Sequence, residues 1–307
     1  MRRFILRRVA QNLLLLAFVI VAVFIIMRLT SGDPARIKAP IFASPDILDR
    51  YRAEFGTNKP IYAQLWTFLK GLSHGDFGDS FRYQQSVFTL IWERLPRTIL
   101  LAATSLVIAV AVSLWLGIGG ARKPGGWLDR LGLVIAALGQ SAPIFWVGLL
   151  LVLVFSVKLG WFPAVGFTGP KSLVLPAIAV SLSVIPADLR VVRSAMLDTL
   201  NQEYIRTSRA FGISEPRITY LYALRNAALP LITVIGIDLG YLLGGTIVTE
   251  VVFNYPGIGQ LAISSVNARD YPTVQAITII SAAIFIFVNL FIDMIYMLLD
   301  PRIRIEA

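Results

Sequence analysis

Four arginines, Arg206, Arg209, Arg217 and Arg225, fall in the stretch EYIRTSRAFGISEPRITYLYALRNAALP, residues 203–230, which sits between two long apolar runs. Guanidinium groups pair with phosphates and carboxylates. Two chemistries therefore fit: an amphipathic helix resting on lipid headgroups, or a docking element for a cytoplasmic partner. In the next apolar run lies a carboxylate, Asp238. A charge at membrane depth is expensive and faces a bundle interior or an aqueous cavity. Asp238 is thus either the structural partner of a polar neighbour or a group lining a cavity. Glu250 and Asp293 lie nearer the ends of apolar runs and are read as structural.

Catalytic alternatives fail on residue types. The chain has no cysteine and one histidine, His74, so thiolate chemistry and histidine-based metal sites are excluded. A Ser-His-Asp triad would have to use His74, which has no G-x-S-x-G partner and reads as an ordinary loop residue. Neither G-x-x-x-x-G-K-[ST] nor H-E-x-x-H occurs, and the two Gly-Ile-Gly triplets, at 117–119 and 257–259, lack the third glycine of a dinucleotide loop. No catalytic residue and no metal ligand is assigned.

The elements that must position these groups are membrane helices. Of the 307 residues, 56% are hydrophobic and 15% charged, against about 25% charged in soluble domains. Mean hydropathy is +0.72. The net charge of +10 fits cytoplasmic loops rich in Lys and Arg better than nucleic-acid binding. Six apolar runs are long enough to span, at 9–29, 98–119, 131–157, 173–189, 227–253 and 274–299. The expected fold is an all-α, polytopic membrane bundle forming a single domain, 1–307. Its helical core covers about 95–300. The N-terminal helix, 9–29, is read as retained rather than cleaved, and an extracytoplasmic loop, 30–97, carries short helices.

Span three is interrupted at GQSAP by Gln140, Ser141 and Pro143, and span four holds Pro176 and Pro186. Breakers survive in lipid only where neighbours satisfy the freed backbone groups, so both spans belong inside the bundle. Gln140 and Ser141 join Asp238 as candidates for lining a translocation pathway. Span five carries Gly236, Gly240 and Gly244, a doubled G-x-x-x-G that admits a close helix neighbour. Short-loop arginines lie at the N-terminus, at 122–130, at 190–225 and in Arg302 and Arg304, which predicts both termini and the 203–230 stretch on the cytoplasmic side. That stretch reads as two helices: Asn201 as N-cap and Gly212 as terminating glycine of the first, then Ser214 as cap and Pro216 in the first turn of the second. Tyr204, Ser208 and Phe211 share one face, and Pro230 bends the chain into span five.

EYIRTSRAFG followed by ALRNAALP resembles the cytoplasmic loop of permease subunits of ABC importers, in the dipeptide/oligopeptide/nickel branch. SGDP (31–34), GDFGDS (75–80), RLPRT (94–98), SAPIF (141–145), LGWFPAVG (159–166), EVVFNYPGIGQL (250–261) and LDPRIR (299–304) agree, in family order over nearly the whole chain. Departures are Ser31, where the family usually has proline, and Arg206-Thr207-Ser208, where the general motif reads Glu-Ala-Ala. The resemblance implies that Glu203, Tyr204, Arg206, Thr207, Arg209, Ala210 and Gly212 belong to a coupling helix that docks on a cytoplasmic ATPase. It also implies a second permease as heterodimeric partner, ATP and Mg held by ATPase subunits, none bound by this chain, and an extracytoplasmic binding protein. The expected location is the prokaryotic plasma membrane, in contact with lipid and not with nucleic acid. Dipeptides, longer peptides, glutathione, nickel complexes and haem all fit as solutes. An ion-gradient-driven secondary transporter is the alternative, and it would want inverted repeats and paired broken helices.

Overall fold

The computed structural model describes residues 2–29, 35–36, 39–40, 42–54 and 56–299. Ser31–Pro34, Arg302 and Arg304 lie outside them, as does the side chain of Asp293. The described chain is helical, and its β pairing is a single bridge between Asp79 and Ser86. It divides into two compact units, residues 2–96 with 257–290, and residues 97–256 with 291–299.

In the first unit, α1 (Arg2–Leu29) is followed by α2 (Pro45–Glu54) and α3 (Ile61–Ser73), the short helices expected of the 30–97 loop. Phe24 of α1 stacks on Phe68 of α3 at 5.6 Å, and Arg28 donates to Gln64 at 2.8 Å. The start of α4 (Val87–Arg122), α12 (Ile258–Asn267) and most of α13 (Tyr271–Leu299) complete this unit. Val87, Leu90, Ile91, Ile258, Leu261, Ala276 and Ile277 form its core. The carboxylate of Asp270 gathers the GDFGDS turn by accepting from Ser80 Oγ, the Phe81 amide and Thr273 Oγ1 at 2.5, 3.0 and 2.8 Å.

In the second unit, α5 (Trp127–Ser141) and α6 (Ile144–Leu151), which runs on through a π-helical turn to Lys158, pack on α7 (Lys171–Leu200). Then come α8 (Glu203–Ala210), α9 (Glu215–Arg217), a π-helical turn (Ile218–Ala223), α10 (Leu224–Gly245) and α11 (Ile247–Val252). Pro176 and Pro186 both lie inside α7 and both are buried, as expected for a span within a bundle. Span three departs from expectation. The GQSAP break turns α5 from α6 by 111°, because Pro143 cannot continue a helix through Ala142, and much of α5 is exposed in this chain. The described residues hold four unbroken helices long and apolar enough to cross a membrane, and two bent pairs, six if each pair is one span.

Two buried polar side chains in this unit, Glu250 and Tyr255, are satisfied locally. Glu250 accepts from Thr98 and Thr246 at 2.8 and 3.1 Å, a structural role. Tyr255 stands edge-on to Phe167 and donates to the Arg97 carbonyl at 3.2 Å. Burial and then the Glu250 carboxylate push this phenol up to about 12, so it stays a donor at ordinary pH.

Candidate functional site: the docking loop

The loop begins where α7 ends. Asn201 is the C-terminal cap of α7 rather than the N-cap of α8. That position belongs to Gln202, extended at ψ 150°, with no side-chain capping bond. The reason is local: the Asn201 and Gln202 amides still bond back to Leu197 and Thr199, so the chain leaves α7 one residue later than the side chains suggest.

α8 is one-sided. Ile205 is fully buried in a cluster with Val192, Met196, Leu200, Ile218, Ala223 and Ala227. Glu203, Tyr204, Arg206, Thr207, Arg209 and Ala210 are all exposed. An eight-residue helix is marginal alone, so the Ile205 anchor holds it to the unit. Tyr204, Ser208 and Phe211, placed on one face above, have different surroundings. Tyr204 accepts from Asn226 through its hydroxyl at 2.7 Å, Ser208 donates to the Tyr204 carbonyl at 2.8 Å, and Phe211 stands 81% exposed.

Gly212 ends α8 as expected. Its φ is +77°. Its amide donates to the Arg209 carbonyl at 2.9 Å, and the Ile213 amide to the Ser208 carbonyl at 3.2 Å. This is the Schellman pattern, which satisfies the open carbonyls of the last turn and needs a left-handed residue. Ser214 then starts α9, again without a side-chain capping bond. The second helix runs through a π-helical turn into α10, with a bend of 57° between Glu215–Ala228 and Pro230–Leu242, the bend expected of Pro230.

The sequence did not reveal a clasp between the two helices. Arg209 Nε donates to Glu215 Oε1 at 2.7 Å, with both side chains about half exposed. The Glu215 carboxylate holds the Arg209 guanidinium firmly charged. Beside it opens a cleft of about 710 Å³ bordered by Arg122, Lys123, Asn201, Arg209 and Glu215. Arg193 of α7 forms a two-toothed pair with Asp129 of α5, at 2.6 and 3.1 Å.

The other candidates fall elsewhere. Gln140 and Ser141 are exposed at the α5–α6 bend, where Gln140 accepts from Arg190 at 2.9 Å. Gly236 is buried, and a methyl group there would meet Ile292 at 2.8 Å, so it is a close-approach position. Gly240 is also buried, whereas Gly244 faces open space. Asp238 is buried against Asp188 of α7, a carboxylate not singled out above. The criterion that flagged Asp238, a charge within an apolar run, applies to Asp188 as well. Among the described residues no cluster of acidic or histidine side chains could hold a metal ion.

Residues 110–305 match the family described as binding-protein-dependent transport system inner membrane component, and residues 1–102 match that system's N-terminal membrane component family. The glutathione transport system permease proteins GsiC of Escherichia coli (strain K12) and of Salmonella typhimurium (strain LT2) are each 38% identical over 304 residues, covering 99% of both chains. Among solved structures, the inward-facing MetNI methionine ABC transporter aligns with a TM-score of 0.57 at 20% identity, over 69% of this chain and 96% of that one. An amino acid ABC transporter solved with histidines aligns at 0.53 and 13% identity, over 67% and 92%. These two show the fold. The full-length matches do not favour the ion-gradient alternative, and they make this chain a member of the binding-protein-dependent inner membrane component family, the permease subunit of an ABC importer.

Proposed function

We propose that this chain pairs with a second, related permease to form a pathway for short peptides or glutathione-like solutes, delivered by an extracytoplasmic binding protein and driven by cytoplasmic ATPase subunits. ATP and Mg²⁺ sit on those ATPase subunits. Each bent pair counts as one span, giving six, with both termini and α8 on the cytoplasmic side. α8 is the element that seats in the ATPase. The glutathione permease relatives support the solute class. The observation that carries the reading is the build of α8: one buried anchor beneath, a left-handed glycine at its end, and the candidate contact residues all outward.

When ATP closes the ATPase pair, force applied to α8 passes through two routes. Ile205 transmits it to the cluster at the foot of α7 and α10. The Arg209–Glu215 clasp and α9 pass it along the continuous helix into α10, where Pro230 sets the bend. The chain itself breaks no covalent bond. The test is reconstitution with its ATPases, second permease and binding protein in proteoliposomes. Uptake of short peptides or glutathione should require ATP and be blocked by vanadate. ATP-independent uptake dissipated by a protonophore would refute this reading.

A further inference from the structure

Leu242 of α10 packs with Val184 and Ile185 of α7, and one turn further along each helix, in opposite directions, Asp238 and Asp188 come together within the bundle. Asp188 is 0% and Asp238 6% exposed. Among the described residues, neither oxygen of Asp188, nor Oδ2 of Asp238, finds a donor. The other charged residues of α7 and α10 are Lys171, Arg190, Arg193, Asp198 and Arg225, and several charged groups on these helices and their neighbours are, among the described residues, engaged elsewhere. Arg190 reaches Gln140, Arg193 holds Asp129, Glu250 takes Thr98 and Thr246, and Glu215 takes Arg209. Arg97 lies over the Phe167 ring.

Two ionised carboxylates cannot share so tight and dry a place. Each loses its hydration, at a cost of several kcal/mol per ion, and each repels the other in a low dielectric. One proton resolves both problems, because a carboxylic acid donates to a carboxylate in a short, charge-assisted bond. We propose that Asp188 and Asp238 form an intramembrane proton-binding site, in which the two carboxyl groups share one proton. The bond ties α7 to α10, the two helices that flank the docking loop in the chain. Loss of the proton to water leaves two negative charges facing each other and drives these helices apart. The site is thus a latch whose closure depends on protonation, independent of which solute is carried.

The experiment uses the complete transporter in proteoliposomes. Infrared difference spectra across a pH titration should show a protonated-carboxyl band that vanishes at high pH. That band should be lost in Asp188→Asn and in Asp238→Asn, so that either variant suffices if the other fails to assemble. Because the sequence contains no cysteine, a cysteine pair introduced across α7 and α10 gives a clean cross-linking readout. Cross-linking should fall as pH rises in the otherwise native chain. In Asp188→Asn it should be insensitive to pH, because the amide N–H donates to Asp238 without a titrating proton. A native transporter without the band, or an Asp188→Asn variant that keeps it, overturns the proposal. So does a pH-independent native chain in which Asp188→Asn abolishes uptake of ammonium-bearing solutes alone; the pair would then bind the solute's cation.

Discussion

Replacing Gly212 isolates backbone conformation from contact. Its φ of +77° lies in the left-handed region, and a Cβ placed there meets nothing within 4 Å. Within this chain the whole cost of a side chain is therefore conformational, about 1–2 kcal/mol for an ordinary L-residue. Free energies of that size change a two-state population by roughly 5–30-fold. Gly212→Val should accordingly leave expression and insertion intact, since α8 contributes one buried side chain, Ile205, to the cluster beneath it. It should lower solute-stimulated ATP hydrolysis and uptake together, by about the same 5–30-fold factor. Gly212→Ala should fall in the lower part of that range. Gly212→Asn should be milder still, because asparagine visits the left-handed region more readily. The assay measures both activities on reconstituted complexes, with binding-protein affinity as control. A Val variant equal to the native chain would refute the reasoning. So would an Asn variant as poor as Val, because crowding in the ATPase cleft, not backbone strain, would then be the cause.

Arg209→Glu should break the clasp with Glu215 and lower coupling modestly, in keeping with the 0.2–1 kcal/mol of an exposed pair; Glu215→Arg added to it should restore coupling, and failure of that charge swap would assign Arg209 to direct ATPase contact. Gly236→Leu should reduce the yield of assembled complex, since even one methyl group would meet Ile292 at 2.8 Å; Gly236→Ala should be milder, and normal assembly of the Leu variant would refute close packing there. Tyr255→Phe should lower thermal stability by about 0.5–1.5 kcal/mol, the value of one hydrogen bond; an unchanged melting temperature would show that its bond to Arg97 is dispensable. Reporter fusions at Ala307 and within 36–59 should report opposite sides of the membrane, and the same side for both would refute the six-span topology.

Much of this architecture was legible from local signals. Apolar run length marked the helices, and proline marked the bends at 143 and 230, because a missing amide hydrogen acts within one turn whatever surrounds it. Gly212 was legible for the same reason: the left-handed cap is set by one residue's sterics. The N-cap at Asn201 was misassigned because a capping residue read in isolation cannot show that the preceding helix still holds its amide. Similarly, placing Tyr204, Ser208 and Phe211 on one face left open which side of α8 is buried, and the burial of Ile205 decides which side faces the cluster.

The sequence by itself determined the class of molecule: long apolar runs in a chain that is 56% hydrophobic and 15% charged make it a membrane helical protein. Composition and period act residue by residue and survive without knowledge of partners. Only the tertiary structure decided which distant groups meet. Arg209 with Glu215, Arg193 with Asp129, Asp188 with Asp238 and Gly236 with Ile292 are set by helix rotation and crossing. Those depend on how whole faces interdigitate, and no window along the chain carries that information.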